Sequence, residues 1–411
     1  MTARHVMDGY RILDFTQVVA GPTATRLMAE MGAEVIKVEL APLGDMTRHL
    51  PIQKNGRSSY FLQQNRGKKS LCIDPKKPAG LKILEALVRK CDVLIENFAA
   101  GVIDRMGLSY DRVSALNPGI VMCSISGFGQ TGPLSTKPGY DFIAAAYAGV
   151  LDLIGYPDGP PLFPQLAIGD GTTGVHALAA ISTALLYRER TGEGQHLDIS
   201  LIDSYFHQHE IAVQAYSATD GAFYPKRSGA HHFMLHPLGI YKGRGDDEYY
   251  ALVIPPMRWQ EFCNFMERPE YGSDARFATN DARMAHHQDV VDFIEAWLQR
   301  QPSREVILEK FETARFAIGP VLSVPDAMRH PHFVERRVVR TVQDRCFGAI
   351  EIPGMPLRFS AFPDELTLEA PYLGEHNREL LTELLGMSRN ELDGLEAAQV
   401  LQSKVPELAM D

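Results

Sequence analysis

Short apolar strands alternate with helices over the first 200 residues, and this alternation limits the fold more than any other feature of the chain. Buried strands are predicted at "YRILDFTQVV", "AEVIKVEL", "DVLIENF" and "IVMCSISGFG". Helices are predicted between them, at "AGPTATRLMAEMG" and "AGLKILEALVRKC". Parallel strands need helical crossovers, which are right-handed and cover the sheet. The sequence therefore predicts an α/β fold with a parallel sheet between two layers of helices.

Loops at the carboxyl ends of such strands are where an open sheet binds its ligand. The candidate loops here are "TQVVAGP", "ENFAAG" and "SGFGQTGP". The first loop leads from a strand into a helix, and Glu39 ends the next strand, as in a dinucleotide-binding unit. It holds only Gly21 followed by Pro22, whereas pyrophosphate binding requires G-x-G-x-x-G, so we do not expect a nicotinamide cofactor.

Composition and charge narrow the cellular compartment and the classes of binding partner that we expect. The 411 residues are 45% hydrophobic and 22% charged with a net charge of −10, which disfavours nucleic acid and anionic membranes as partners. No apolar run approaches a membrane span, and the first residues lack a signal-peptide core, so a cytoplasmic protein is predicted. The five cysteines are odd in number and in no metal-binding pattern, so we expect reduced thiols and no metal.

The chain is long enough for two domains, and its pattern changes after about residue 200. A polar and aromatic helical stretch leads to a second compact region, which opens with the hairpin pattern "HPLGIYKGRGDDEYYALVI" and continues with amphipathic helices. The predicted organisation is a large domain in 1–200, a linker in 201–228 and a small α+β domain in 229–330. Residues 331–411 are predicted to form a return linker and the C-terminal part of the large domain.

One carboxylate, Asp170, stands between Gly169 and Gly171 in a predicted turn just before a small-residue helix, in "QLAIGDGTTGVHALAAI". The glycines leave room for a substrate carbonyl and permit a positive φ, and amides of the helix start are candidate oxyanion donors. A lone acid at this point is either a nucleophile or an ordinary helix N-cap. This stretch alone is compatible with both.

Family motifs extend over nearly the whole chain. They are "GYRILDFTQVVAGP", "GAEVIKVE" with "GDMTR", "NRGKKSLCIDPK", "DVLIENFAAGVIDRMGL", "SISGFGQTGP", "GYDFIAAAYAGV", "IGDGTTGVHA", "YRERTGEGQHLDISLIDS" and "IPGMPLRFS". Together they resemble family III of the CoA-transferases, the CaiB/BaiF family. The resemblance implies a Rossmann-like large domain, a smaller second domain and a homodimer of two interlocked rings.

The resemblance also implies a role for Asp170. This aspartate is expected to attack an acyl-CoA, forming a mixed anhydride and then an aspartyl-CoA thioester, before CoA passes to a carboxylic acid. No base is expected, because a carboxylate is ordinarily ionised at neutral pH. Coenzyme A is then a substrate, and no permanently bound cofactor is expected. Succinyl-CoA is one possible donor, the acceptor acid is not specified, and transfer within one diacid stays open.

CoA contacts are expected in several loops. Matching of family motifs assigns them to Gln17, Val18, Ala20, Asn97, Phe98, Arg105 and Tyr140. Because CoA carries phosphates, basic side chains are also candidates, although each could equally be an ordinary surface charge. These are Arg48, Arg66, Lys68, Lys69, Arg105 and Lys137. Leu40 replaces an arginine of the formyl-CoA enzymes, and Arg48 is a possible substitute for that phosphate contact.

Two other functions are alternatives to CoA transfer. An α-methylacyl-CoA racemase needs the histidine of a "GHD" motif, and Tyr140 stands there with a poorly matched pKa. A non-catalytic CoA-binding protein would not need Asp170. Five histidines, His207, His209, His231, His232 and His236, are expected to make local hydrogen bonds or, in "RSGAHHFMLHP", to form a lid over Asp170. His176 is expected to be packed.

Overall fold

The computed structural model describes residues 5–403, and the chain divides into two compact units. The first contains the chain up to Ala148, Gln165–His209 and the chain from His332 onward. The second contains Gly149–Pro164 and Glu210–Pro331, so it includes the predicted small domain.

Residues 149–164 belong to the second unit, although the sequence placed them within the large domain. The amide of Gly229 donates to the carbonyl of Gly155 over 2.9 Å, and Arg227 pairs with Asp152. These contacts join the segment to residues that the sequence assigned to the linker and the small domain. The boundary therefore depends on contacts between segments distant in sequence.

The strands are short and spread over the whole chain. In chain order they are β1 (Arg11–Asp14), β2 (Glu34–Leu40), β3 (Gln53–Lys54), β4 (Arg57–Ser58), β5 (Lys68–Ile73), β6 (Val93–Glu96), β7 (Val121–Ser126), β8 (Gln195–Ser200), β9 (Leu238–Lys242), β10 (Tyr249–Val253), β11 (Ala317–Pro320), β12 (Val339–Asp344) and β13 (Gly348–Pro353).

The principal sheet of the described chain has six strands in the order β5-β2-β1-β6-β7-β8, and all neighbours are parallel. The predicted α/β fold with a parallel sheet is confirmed. The chain order reverses between β1 and β6, which makes this point the topological switch of a doubly wound sheet. β9, β10 and β11 form an antiparallel sheet in the second unit, and β3-β4 and β12-β13 are hairpins.

Helices account for most of the remaining regular structure. In the first half they are α1 (Ala20–Glu30), α2 (Ser59–Asn65), α3 (Pro78–Val88), α4 (Val102–Arg105), α5 (Tyr110–Leu116), α6 (Asp141–Tyr147), α7 (Ile168–Thr191), α8 (Leu201–His207) and α9 (Ala212–Ala218). They continue as α10 (Trp259–Phe265), α11 (Glu270–Ser273), α12 (Asn280–Ala285), α13 (His287–Arg300), α14 (Arg304–Ala314), α15 (Val324–Arg329), α16 (Pro331–Glu335), α17 (Asn377–Leu385) and α18 (Arg389–Ala397). No helix among the described residues is both long and apolar enough to cross a membrane.

Each unit has its own core. In the first, the sheet packs against α3, α5, α17 and α18 through buried side chains such as Leu84, Val113 and Leu380. In the second, the antiparallel sheet packs against aromatic side chains that include Phe262 and Phe311. Burial of this apolar surface supplies the main driving force for folding of both units.

Close packing of α7 on α1 places the start of α7 beside the carboxyl ends of the strands. A Cβ atom at Gly174 would lie 2.5 Å from the carbonyl oxygen of Ala20 and 2.7 Å from the Cβ of Thr23. Only glycine permits this approach. Every residue of α1 is buried, because α1 lies beneath α7 and is also covered by the rest of the first unit.

Candidate active site

A cavity of about 280 Å³ opens at the switch point of the parallel sheet. The loops after β1 and β6 and the end of β7 form its wall, together with the segment before α6 and the start of α7. This is where open α/β sheets bind their ligands, because the loops on either side of the switch point diverge and leave a crevice.

Most of the predicted site residues meet in this cavity. Those that line it are Gln17, Val18, Ala20, Asn97, Phe98, Lys137, Tyr140 and Asp170. Asn97 joins two of the loops, because its side chain accepts from the amide of Gln17 and donates to the carbonyl of Gln17, each over 2.7 Å. Val18 has φ = 66°, which is strained for a β-branched residue.

A buried ionic network supports the first loop from below. Lys37 donates to the carbonyl of Thr16 over 2.7 Å and pairs with Asp45 at 2.8 Å. Lys68 pairs with Asp14 at 3.0 Å, and Asp14 accepts from the amide and hydroxyl of Thr16. These charges are fully buried and paired, which fixes the loop where it enters the cavity.

Arg48 and Lys69 are not brought to the cavity. Arg48 forms two hydrogen bonds with buried Glu39, of 2.7 and 2.6 Å, and is itself buried. Lys69 lies on β5 at the edge of the sheet and pairs with Glu34 and Glu379. Both cations are held by carboxylates of their own unit.

Three further basic candidates differ in position. Arg66 is buried against Glu30, and Lys68 belongs to the ionic network. Arg105 is exposed at the end of α4, just beyond the loop that contains Asn97 and Phe98. Lys137 lies at the cavity and makes no ion pair within residues 5–403.

Asp170 lies within the first turn of α7, whereas the sequence suggested a turn before the helix. Gly169 permits a close approach of α7 to Tyr205, because a Cβ at residue 169 would lie 2.0 Å from the Tyr205 ring. Neither Gly169 nor Gly171 has a positive φ. Burial, followed by the negative charge of Asp141, raises the pKa of Asp170 to about 7. The carboxyl group is thus only partly ionised at neutral pH, contrary to the simple expectation from an exposed aspartate.

The amides at the start of α7 are already engaged. The Asp170 amide donates to Asp141 Oδ1 over 2.6 Å, and the Gly171 amide donates to the carbonyl of Ala167 over 3.1 Å. The sequence hypothesis that they serve an oxyanion therefore receives no support from this geometry. Tyr205 completes the arrangement by donating its hydroxyl to Asp141 Oδ2 over 2.8 Å.

Asp141 and Tyr205 are the site residues that the sequence analysis missed. Asp141 follows Tyr140 in the "GYD" motif, in which Tyr140 stands at the position of the racemase histidine. An acid at the predicted start of a helix can be recognised from sequence. Its pairing with Tyr205 cannot, because the two residues are 64 positions apart. Only tertiary structure brings the two together.

The histidines make local contacts. His176 Nδ1 lies 3.0 Å from the hydroxyl of Ser204, and His209 Nε2 lies 2.8 Å from the carbonyl of Ala148. In the second unit, His231 and His236 pack with His287, with ring centroids 4.5 to 5.8 Å apart. Among residues 5–403 no cluster of histidine, cysteine or acidic side chains has the arrangement of a metal site.

A doubly wound sheet with a carboxyl group of raised pKa in its switch-point cavity is typical of α/β enzymes that bind their ligand beyond the strand ends. The chain belongs to CoA-transferase family III, whose model matches residues 7–377. It is therefore a CoA-transferase, a class whose substrates are CoA thioesters.

Named relatives cover almost the whole chain. It is 36% identical to a formyl-CoA:oxalate CoA-transferase of Streptomyces coelicolor, over 98% of this chain and 100% of that protein. It is 34% identical to a succinyl-CoA:glutarate CoA-transferase of Mus musculus, over 96% and 90% respectively. A crystal structure of a CaiB/BaiF family protein from Brucella suis matches with a TM-score of 0.80 at 32% identity, covering 92% of this chain and 99% of the other.

Proposed function

We propose that Asp170 is the nucleophile through which this enzyme moves CoA from an acyl-CoA donor to a small carboxylic acid. A carboxylate oxygen attacks the thioester carbonyl, the C–S bond breaks, and CoA thiolate leaves a mixed anhydride on Asp170. The thiolate then attacks the Asp170 carbonyl, releasing the donor acid and leaving an aspartyl-CoA thioester. The acceptor carboxylate repeats these two steps in reverse, and no net proton is gained or lost.

The observation that carries this proposal is the difference between the two carboxyl groups that line the cavity. Both oxygens of Asp141 are occupied, one by the Asp170 amide and the other by Tyr205. The carboxyl group of Asp170 accepts no hydrogen bond from the residues that the structure describes, and it faces the cavity. Asp170 is therefore the acid that is available to react.

Charge favours acylation at this position. Ionised Asp170 is penalised by burial and by the negative charge of Asp141, whereas an acylated Asp170 is neutral. Formation of the anhydride therefore relieves an unfavourable charge. The same environment makes the carboxylate more basic than an exposed aspartate, which strengthens it as a nucleophile.

We propose that the CoA chain follows the loops carrying Gln17, Val18, Ala20, Asn97 and Phe98, with Tyr140, Lys137 and Arg105 nearby. Arg48 and Lys69 are not part of this proposal, because carboxylates already hold them. Oxalate and glutarate, the acceptors in the relatives' names, are both diacids, and Lys137 supplies a cation without an ion pair in the described chain. A small diacid is therefore the proposed acceptor, and succinyl-CoA is the first donor to test.

The test of Asp170 is a covalent adduct. The protein is incubated with succinyl-CoA or formyl-CoA, digested, and the peptide containing residue 170 is examined by mass spectrometry, with and without oxalate or glutarate. An acyl or CoA adduct on Asp170 that the acceptor discharges supports the proposal. Asp170→Asn is expected to lose the adduct and to lower transfer by about 10³-fold or more, since covalent catalysis is removed. CoA binding without an adduct from any donor would favour a binding protein instead.

We also propose that two chains form a homodimer, interlocked as in the family resemblance. The helix α7 has apolar side chains on more than one face, and Val175 and Leu186 remain about half exposed. Ile143 and Tyr147 on α6 and Phe206 on α8 are exposed as well. Exposed apolar faces of this kind are typical of a protein interface. Light scattering coupled to gel filtration should give twice the chain mass, and a stable monomer would contradict the proposal.

A further inference from the structure

The first turn of α7 is held by a residue from another helix. Asp141, the first residue of α6, is only 4% exposed and accepts from the Asp170 amide over 2.6 Å through Oδ1. Its second oxygen accepts from the hydroxyl of Tyr205, which lies on α8 and is 3% exposed. Three helices thus meet at the backbone of the residue proposed as the nucleophile.

This arrangement replaces an ordinary helix cap. The amides in the first turn of a helix have no partner within the helix, and a Ser, Thr, Asp or Asn at the N-cap usually accepts from one of them. The N-cap residue of α7 is Ala167, which has no side chain able to do so. Asp141 supplies the missing acceptor, and it does so for the amide of Asp170 itself.

The close fit of Gly169 adds a steric restraint to the hydrogen bonds. Any Cβ at residue 169 would lie 2.0 Å from Tyr205 Cε2 and 2.7 Å from Asp141 Oδ1. The start of α7 therefore rests directly on the two side chains. A shift of either one moves the backbone from which Asp170 projects.

We propose that Asp141 and Tyr205 are a positioning pair, which fixes the first turn of α7 and so aims the carboxylate of Asp170 at the thioester carbonyl. The inference rests on the proposed role of Asp170 as the nucleophile. It assigns no bond-making step to either residue. Its consequence is kinetic, because misplacement of a reacting group by about 1 Å can cost about a hundredfold in rate.

The pair also sets the charge that Asp170 experiences. Asp141 from α6, Tyr205 from α8 and Tyr60 from α2 interact electrostatically with Asp170. Lys137 and Tyr140 line the same cavity. Burial raises the pKa of Asp170 most, and the negative charge of Asp141 raises it further. A variant without this charge should therefore ionise Asp170 at lower pH.

Two conservative variants separate position from charge. Asp141→Asn keeps an oxygen for the Asp170 amide and removes the charge, so the midpoint of acylation against pH is expected to fall by about one unit. Tyr205→Phe keeps the ring beside Gly169 and removes the hydroxyl, so acylation is expected to slow by about tenfold or more, with KM for the acyl-CoA nearly unchanged. Tyr250→Phe is the matched control, because Tyr250 donates to Glu248 in the second unit, and its acylation should equal that of the wild type.

Hydrogen exchange gives a measurement that is independent of activity. In the full-length protein, the amides of residues 168–171 are expected to exchange more rapidly in Asp141→Ala and in Tyr205→Phe than in the wild type or in Tyr250→Phe. Unchanged exchange in both variants would overturn the positioning role. Faster exchange with unchanged acylation rate and pH midpoint would overturn its catalytic consequence. Absence of any adduct on wild-type Asp170 would instead refute the proposed nucleophile. The exchange rates would still show whether Asp141 and Tyr205 fix the first turn of α7.

Discussion

The surroundings of Asp170 disfavour its ionised form, and this affects the stability of the fold as well as the reactivity of the carboxyl group. Burial and the Asp141 charge raise its pKa to about 7, whereas an aspartate in an unfolded chain titrates near 3.9. Between these values the folded chain holds a proton that the unfolded chain has released. The fold therefore loses stability as pH rises through this window, and the loss is complete above the folded pKa.

Asp170→Asn should remove this pH-dependent loss. Its stability relative to the wild type is expected to increase by about 2 kcal/mol between about pH 5.5 and about pH 8, since one pKa unit corresponds to about 1.4 kcal/mol. Urea unfolding at the two pH values measures the difference. Asp203→Asn serves as a control, because Asp203 is exposed on α8 within the same unit and does not line the cavity. If Asp170→Asn and the wild type differed in stability by the same amount at both pH values, a raised pKa of Asp170 would be excluded.

The buried ionic network gives a second prediction for a single residue. Lys37 is fully buried between the carbonyl of Thr16 and the carboxylate of Asp45, whereas the Lys69 side chain is 30% exposed. Lys37→Met leaves Asp45 buried without its cation and is expected to destabilise the protein by about 3 to 5 kcal/mol. Lys69→Met should cost about 1 kcal/mol or less. Equal losses in urea unfolding would contradict the role assigned to the network.

At the scale of helices and strands, the sequence predicted those elements whose burial follows from their own composition. β1, β2, β6 and β7 are apolar runs, and the structure contains each of them. β5, in "KKSLCI", was not recognised, because it begins with two lysines and a serine. Its Lys68 is buried only because Asp14 on another strand neutralises it. A charged residue that finds its partner through tertiary structure cannot be recognised from local pattern.

The candidate site divides in the same way. Motif matches assigned Gln17, Asn97 and Asp170 to the site, and all three line one cavity. The loops that follow the two strands at the switch point flank the same crevice. The sequence does not show which cations reach this cavity, because the carboxylates that pair with Arg48 and Lys69 lie on other elements of the fold. Positive charge alone does not show which arginine or lysine is free to bind phosphate.

The contact between α1 and α7 gives the prediction for this scale. Gly174→Ala places a methyl group 2.5 Å from the backbone carbonyl of Ala20, which cannot move independently of α1. The expected loss is about 1 to 3 kcal/mol in urea unfolding, with a lower transfer rate because α7 carries Asp170. Gly394→Ala in α18 is the matched control, since its Cβ meets nothing within 4 Å and helix propensity favours alanine by about 1 kcal/mol. Loss of stability in both variants would indicate a general intolerance of alanine.

At the scale of the whole molecule, the two compact units differ in the tryptophans that report on their unfolding and in the histidines whose protonation destabilises them. Trp259 and Trp297 are the two tryptophans of the chain, and both belong to the core of the second unit. The three packed imidazoles of His231, His236 and His287 belong to that unit as well. Indole fluorescence therefore observes the unit that contains the histidine cluster, without contribution from the first unit.

Acid should destabilise the second unit through this cluster. Burial, with the charges of neighbouring histidines, lowers the pKa of His231 to about 4 and of His236 to about 3, and Arg283 adds to the effect at His236. Because the unfolded imidazoles titrate near 6.5, stability is fully present above that pH and is lost as pH falls below it. We expect the free energy of unfolding, followed by tryptophan fluorescence in urea, to fall by about 2 kcal/mol or more between about pH 7 and about pH 5. His231→Gln should reduce this pH dependence, whereas His286→Gln, at the half-exposed neighbour of the cluster, should retain it. The same acid sensitivity in wild type and His231→Gln would remove the cluster as its cause.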